Sequence, residues 1–426
     1  MELYENKTEI ERALLVCVDT GEYDAESSLL ELEELTKSAG AEPVASMVQK
    51  REKPDTATCI GSGRVEEVKR FCKENEITIL IFDCELTPTQ IRNLEGETSV
   101  RTVDRTMLIL DIFASRARSK EGKLQVELAQ LQYLLPRLTG RGVEMSRLGG
   151  GIGTRGPGET KLETDKRHIR RRMKTLKEQL ELVEHHREAL RRKRSKSGII
   201  TVAIVGYTNA GKSTLMNALT EAGVLAENKL FATLDPTSRA LKLPNGITVM
   251  LIDTVGLVRR LPHHLIKAFH STLEEAARAD IILNVCDASS EEARLHLEVT
   301  TTLLKDLGCR EQPILSVMNK CDLAPSLKGL PAIGNMIRIS AKKQEGLDEL
   351  LHKIEENFPV RMKQAKLIVP FQEAGQIQLI REHGTIQKEE YLESGVQIEA
   401  VLEEKIWFLI DRYGVDGHKG SFEPEF

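Results

Sequence analysis

Residues 199–205, IITVAIV, form an apolar run that leads without a break into GYTNAGKST at 206–214 and then LMNALTEA at 215–222. This is GxxxxGKST between a buried strand and a helix, the context that a phosphate-binding loop requires. Gly206 and Gly211 let the loop curl so that the amides of Tyr207, Thr208, Asn209 and Ala210 face a phosphate chain. Lys212 can then reach the β and γ phosphates, Ser213 can ligate magnesium, and Thr214 continues into the helix. A strand that ends in such a loop belongs to a largely parallel sheet covered by helices, so the motif sets the fold class of this segment as α/β.

The other parts of a guanine-nucleotide site follow in order. ITVMLIDTVG, 247–256, is a strand that delivers Asp253 toward magnesium through water, continues through Thr254 and Val255, and brings the Gly256 amide toward the γ phosphate. LNVCDASS, 283–290, is the next buried strand, and ILSVMNKCD, 314–322, ends a strand with NKxD. Asp322 can accept two hydrogen bonds from the guanine N1 and N2 donors, a pattern adenine does not offer. Asn319 can bond the guanine rim, and the stem of Lys320 can pack on the ring. RISAKK, 338–343, completes the set, with the Ser340, Ala341 and Lys342 loop able to present a backbone amide to guanine O6. Between the P-loop and Asp253 lies LFATLDPTSR, 230–239, in which both Thr233 and Thr237 are placed to close over magnesium.

Residue 257, directly after DTVG, is leucine, where many hydrolytic switches carry a glutamine that orients water. Leucine cannot hold water by hydrogen bonding, so free turnover is expected to be slow. A group supplied in trans can restore roughly 10³ to 10⁵ in rate. The simpler reading is that Leu257 packs beneath the switch, and the two are compatible. Arg259, Arg260, His263 and His264 follow; we read the arginines as a solvated face and the histidines as the start of a helix after Pro262.

At 426 residues the chain is long enough for two to four domains. With 40% hydrophobic and 29% charged residues it has a soluble globular composition. No apolar run reaches the roughly 18 residues a membrane-spanning helix needs, and MELYENKTEI is unlike a signal peptide, so a cytoplasmic protein is expected. Its seven cysteines contain no CxxC pair and mostly sit in apolar runs, which suits small core residues in a reducing compartment.

The net charge of -5 hides an asymmetry: 160–198 carries 14 Lys/Arg against 6 Asp/Glu, a surplus of +8 that leaves the remainder near -13. A basic arm on an acidic body points to a localised polyanion contact. Leu124, Leu128, Leu131, Leu135 and Leu138 form one heptad-like seam, and Ile169, Met173, Leu176, Leu180 and Val183 another. Between them, 140–159 holds eight glycines and the arginines Arg141, Arg147 and Arg155. An antiparallel helical hairpin with a glycine-rich tip follows from this. Arg141, Arg147 and Arg155, with Lys166, Arg167, Arg170, Arg171 and Lys174 on the second helix, are its RNA-binding candidates.

Four segments result: an N-terminal α/β domain at 1–115, the hairpin at 116–197, a P-loop GTPase domain at 198–360 and a small C-terminal α/β unit at 361–426. In the first, CIGSGRVEEVKRF reads as a strand, an ordinary turn and a helix. In the last, KLIVPF, QEAGQIQLIREHG and GVQIEAVLE read as strand, helix and strand.

GYTNAGKST, FATLDPTSR, DTVGLVRRLP, NKCD and the upstream GGGIGTRGPGETKLETDKRHIRRR together resemble the HflX family of the Obg-like translation GTPases, over well over half the chain. The resemblance implies a magnesium-dependent GTPase that binds the large ribosomal subunit and its RNA. It implies insertion of the hairpin near the peptidyl-transferase region and splitting of ribosomes in stress or rescue. It makes Thr233 the switch threonine on magnesium, includes Phe231, Ala232, Leu234 and Asp235 in the nucleotide site, and carries an apolar residue at 257. Lys212, Thr233 and Gly256 are then the catalytic candidates, Ser213 and Thr233 the metal ligands. The free protein is expected to be monomeric. Two other readings stand beside this one: a nucleotide-gated RNA-binding scaffold with little turnover, and a GTPase joined to an RNA-modifying activity.

If NKCD reads the base, Asp322→Asn will weaken GTP binding and shift preference toward xanthosine nucleotides, because the amide donates where the carboxylate accepted. Competition between GTP and XTP measures this, and unchanged guanine selectivity would remove NKCD from the site.

Overall fold

Strands that are apolar on every residue need cover on both faces, and β1 (Arg12–Asp19) has six consecutive buried residues. In the computed structural model, which describes residues 10–138, 157–196, 199–220, 237–254, 256–260, 276–306, 308–309, 312–323, 336–358, 362–403 and 406–414, the chain forms two compact units. In the first, β1 lies between β2 (Glu42–Lys50) and β3 (Ile79–Phe82), and β3 pairs with β4 (Arg101–Asp104). Every pairing is parallel. The helices α1 (Ala25–Ala39), α2 (Ser62–Glu74) and α3 (Pro88–Thr98) connect the strands, and α4 (Arg105–Arg116) follows β4.

The helix starts carry their own signals. Asp24 accepts from the Glu26 amide, Thr87 and Gln90 form a reciprocal capping box, and Asp104 accepts from Met107. The GSG segment departs from expectation, because no strand precedes it. Residues 55–59 form a turn closed by hydrogen bonds between Asp55 and Cys59, Ser62 already belongs to α2, and the Gly61 amide donates to Gln49 Oε1.

An ion cluster lies inside this unit. Asp83, at the end of β3, accepts from Arg105 Nη1 at 2.8 Å and from Ser28 Oγ at 2.7 Å, while Arg105 Nη2 reaches Glu31 Oε1 at 2.8 Å. Residues 258–260 belong to the same unit: Arg260 donates to Asp83 Oδ2 at 2.5 Å and lies 3.8 Å over the Tyr23 ring. Arg259 donates to Ser27 Oγ. The solvated face expected for these arginines is therefore corrected, since both are held by carboxylates, hydroxyls and a ring.

The helix α5 (Lys120–Arg137) packs on α6 (Pro157–Lys196) through Leu124, Leu128 and Leu176, with Leu131, Met173 and Leu180 beside them. All six belong to the two heptad-like seams, and Arg172 forks onto Glu127 at 2.6 and 2.7 Å across them. Pro157 opens α6, where a missing amide costs nothing, so the last glycine-rich residues are already helical. Arg141, Arg147, Arg155, 231–235, Val255, His263 and His264 lie outside the described residues.

In the second unit β5 (Thr201–Gly206), β6 (Thr237–Lys242), β7 (Thr248–Asp253), β8 (Ile281–Asp287), β9 (Ile314–Asn319) and β10 (Ile337–Arg338) form one sheet in the order β10-β9-β8-β5-β7-β6. Only β6 runs antiparallel, and it sits at the edge. Around the sheet stand α7 (Lys212–Thr220), α8 (Ala293–Asp306) and α9 (Leu347–Glu356). A second, antiparallel sheet of β11 (Met362–Val369), β13 (Gly395–Glu403) and β12 (Gly384–Leu392) carries α10 (Gly375–Glu382). Val396, Ile398, Ala400 and Leu402 point into the small sheet's own core, and the alternating Val401 joins the core of the six-stranded sheet. All seven cysteines are free, five of them buried. Among the described residues no helix is long and apolar enough to cross a membrane.

The ion cluster makes a stability prediction. Asp83→Ala removes one of the two carboxylates that hold the buried Arg105, leaving Glu31, and is expected to destabilise the first unit by less than the roughly 3–5 kcal/mol of a fully broken buried pair. Urea unfolding followed by a probe in that unit checks this.

Candidate active site

Four loops leave the carboxyl ends of β5, β7, β9 and β10, on both sides of the point where the strand order reverses, which is where open α/β sheets bind ligands. Gly206 ends β5 at φ +154°, and a Cβ there would lie 2.1 Å from the Val285 carbonyl oxygen. Gly211 has φ +88°, and its Cβ would lie 2.3 Å from Asn319 Nδ2. No other residue fits at either position, so the loop's curl depends on both glycines. Lys212 is 7% exposed and donates to the Gly206 and Tyr207 carbonyls at 3.0 and 2.8 Å. Its ammonium is tethered across the mouth of the loop, where phosphates are to be met.

Ser213 Oγ donates to Asp253 Oδ2 at 3.0 Å. A hydroxyl beside a carboxylate is an oxygen donor set of the kind magnesium takes. Thr254 is fully buried and donates to the Ile204 carbonyl at 2.7 Å, so it holds β7 against β5. Thr237 opens β6 opposite Asp253, and its hydroxyl points to Met216 Sδ at 3.5 Å. Thr233, its alternative on the metal, lies outside the described residues.

On the base side, the Asn319 carboxamide donates to the Ala210 carbonyl at 2.9 Å and accepts from the Ala341 amide at 3.0 Å. Asn319 therefore joins loops, and of the amides in the Ser340, Ala341 and Lys342 loop it takes that of Ala341, while the Ser340 amide donates to the Glu345 carbonyl. Asp322 accepts from Ser340 Oγ at 2.8 Å, so the hydroxyl sets the carboxylate's direction. Lys320, at φ +62°, donates to Asp287 Oδ2 at 2.7 Å. Asp287 is a residue the motifs did not single out; the signal for it was its place at the end of the buried run LNVCD. Lys342 is exposed beside these groups.

Three family profiles match in succession: "GTP-binding GTPase N-terminal" over 26–114, "GTP-binding GTPase Middle Region" over 116–194 and "50S ribosome-binding GTPase" over 201–320. A GTPase HflX from Lacrimispora saccharolytica is 51% identical over 409 residues, covering 95% of this chain and 97% of that protein. The GTPase HflX of Escherichia coli is 42% identical over 370 residues, 85% of this chain and 86% of its own. The chain belongs to the HflX family of GTPases. Among solved structures, a GTP-binding protein from Sulfolobus solfataricus in complex with GDP is 27% identical, covering 82% of this chain and 98% of that one, with a TM-score of 0.44.

In this HflX GTPase, residue 257 is a packing residue. Leu257 is 3% exposed in a cluster with Tyr207, Ala276, Ala279 and Ile282. Its amide donates to the Gly206 carbonyl at 3.2 Å, and its carbonyl accepts from the Thr208 amide at 2.8 Å. The side chain is buried in the core, and the backbone is laced to the P-loop. Gly256 beside it has no room for a side chain, because a Cβ would lie 2.5 Å from Thr208 Cγ2.

Burial lowers the Lys212 pKa from its usual value to about 8, with the Asp253 carboxylate opposing the shift. Below pH 8 the free protein already carries the charge that a polyphosphate needs. Above it the free lysine is neutral, and nucleotide binding, which favours the charged form, must take up a proton. GDP affinity is therefore expected to fall by up to about tenfold per unit once pH rises past about 8. Calorimetry at pH 8.5 in two buffers of different ionisation enthalpy should register proton uptake; none would show that Lys212 stays charged throughout.

Proposed function

We propose that this GTPase works on the large ribosomal subunit, with magnesium at its nucleotide site, and that the bound subunit raises a slow intrinsic GTP turnover. The observation that carries this reading is the surface of α6. Arg167, Arg170, Arg171 and Lys174 are all exposed on one basic helix, with Lys166 half-buried beside them. Arg172, in the same run, is taken up by Glu127. A row of exposed cations on an otherwise acidic protein fits the phosphate backbone of RNA, and the family matched over 201–320 is described as binding the 50S ribosome. The glycine-rich segment with Arg141, Arg147 and Arg155 extends the same basic arm in sequence.

At the nucleotide, Ser213 and the carboxylate of Asp253 are the groups that would hold magnesium, Thr233 joining them by resemblance. The ion would supply charge neutralisation at the phosphates. Lys212 moves from two loop carbonyls to phosphate oxygens, a small displacement that keeps its charge paired. The Gly256 amide is the donor for the terminal phosphate, and Asp322 fixes the base. Leu257, at the position where many switches carry a glutamine, cannot orient water and is held in the core. A partner that orders the attacking water would therefore account for a hydrolysis step that depends on binding. Splitting or rescue of ribosomes under stress, monomeric behaviour when free and a cytoplasmic location belong to the same reading. A nucleotide-gated scaffold with little turnover is the alternative.

GTP turnover measured with and without isolated large subunits separates the two: strong stimulation fits the proposal, and equal slow rates fit the scaffold. Reversing Arg170 and Arg171 to glutamate should weaken subunit binding. It should also lower the slope of log K against log salt by about 0.7–0.9 for each phosphate that is no longer neutralised. Turnover of the free protein should not change. Wild-type affinity and slope in that variant would mean that the α6 face is only solvated.

A further inference from the structure

The P-loop carries a ring contact that phosphate chemistry does not call for. Tyr207, its second residue, is 6% exposed, and its ring lies on the imidazole of His296 with centroids 3.9 Å apart and planes 13° from parallel. Two such rings overlap nearly face to face, closer than the roughly 4.5 Å at which aromatic pairs usually begin. His296 stands in the first turns of α8, its Nε2 3.7 Å from Glu292 Oε2 and its carbonyl accepting the Thr300 hydroxyl at 2.8 Å. The helix is thus a fixed wall, and the imidazole is the part of it that meets the loop.

Tyr207 also packs with Leu257 in one buried cluster, and the hydrogen bonds of Leu257 to Gly206 and Thr208 flank Tyr207 in the chain. The Tyr207 carbonyl holds Lys212 Nζ at 2.8 Å. Next along is Gly256, set against Thr208 with no space to spare. A path of direct contacts therefore runs from His296 through Tyr207 and Leu257 to the amide that must meet the terminal phosphate.

We propose that His296 is a positioning residue for GTP hydrolysis: by stacking on Tyr207 it fixes the platform on which Leu257 lies, and so the placement of the Gly256 amide. The proposal rests on the chain's GTPase activity. It also gives the leucine at 257 a purpose in catalysis. With no side chain there to hold water, the geometry of the switch backbone has to come from packing, and the Tyr207–Leu257 contact supplies it. Ser213 and Asp322 are outside this path, and Lys212 meets it only at the Tyr207 backbone carbonyl, which the ring contact does not carry. Loss of the stack should then be felt at hydrolysis and not at GDP binding.

The test uses the full chain without ribosomes, with single-turnover hydrolysis at saturating GTP and equilibrium binding of a fluorescent GDP. His296→Ala is expected to slow hydrolysis by about tenfold, the upper range for an aromatic pair, while GDP affinity stays within about twofold. His296→Phe, which keeps a flat ring and loses the approach to Glu292, should recover most of the rate. Glu292→Gln, which keeps the stack, should leave the rate as in the wild type. The proposal is overturned if His296→Ala hydrolyses GTP at the wild-type rate. It is equally overturned if rate, GDP affinity and melting temperature all fall together and phenylalanine restores none of them, the signature of a merely structural histidine. A wild-type chain without any GTP hydrolysis would remove the reaction itself and the proposal with it, which tells failure of the GTPase reading apart from failure of this one.

Discussion

The Asn319 side chain donates from one end to the Ala210 carbonyl at 2.9 Å and accepts at the other from the Ala341 amide at 3.0 Å. One carboxamide therefore joins the loops after β5, β9 and β10. Its nitrogen also occupies the space a Cβ on Gly211 would need. The glycine, the asparagine and the alanine loop are three views of one packing problem: phosphate and base must be gripped at a fixed separation, and a short rigid amide spans it. A buried amide is costly unless both ends are satisfied, and here both are, so the loops have little to gain by drifting apart.

What could be read from the residues alone follows from how local each signal is. The P-loop, DTVG, NKCD and the alanine loop were legible because each lies at a strand end and is built from residues adjacent in sequence. The parallel sheet of the first unit was legible from uninterrupted apolar runs such as ALLVCV and ITILIFD. The helix seam was legible from Leu124, Leu128 and Leu176, whose spacing is that of a packed stripe. Contacts between distant residues were not. Nothing near Arg260 announces Asp83, and nothing near Tyr207 announces His296, because such pairs exist only once the chain has folded.

The third strand of the C-terminal sheet, Gly384–Leu392, escapes a reading of the sequence for a different reason. GTIQKEEYL has three adjacent charged residues at its centre, Lys388, Glu389 and Glu390, and it is an edge strand whose outward positions meet water. Charged edges discourage pairing with other chains, and the same charges erase the alternation by which strands are recognised. The two-residue turn that follows, Glu393 and Ser394, also lacks the Asn-Gly or Asp-Gly signature of a tight hairpin. The unexpected turn before α2 has the same character, since its closure depends on the pairing of Asp55 with Cys59 and not on any apolar pattern.

Val401 extends this point to the making of the protein. It lies on a strand of the small C-terminal sheet, yet its side chain is 2% exposed within the core that also holds Val202, Leu215, Leu251 and Val317. The nucleotide-binding sheet is thus capped by a residue that follows all six of its own strands in sequence. During synthesis, which runs from the N-terminus, the P-loop and both switch strands emerge long before the side chain that seals the sheet beneath them. Until the last strands arrive, the nascent GTPase fold has an apolar gap facing water. Sealing of the nucleotide-binding sheet therefore waits until β13 has been made.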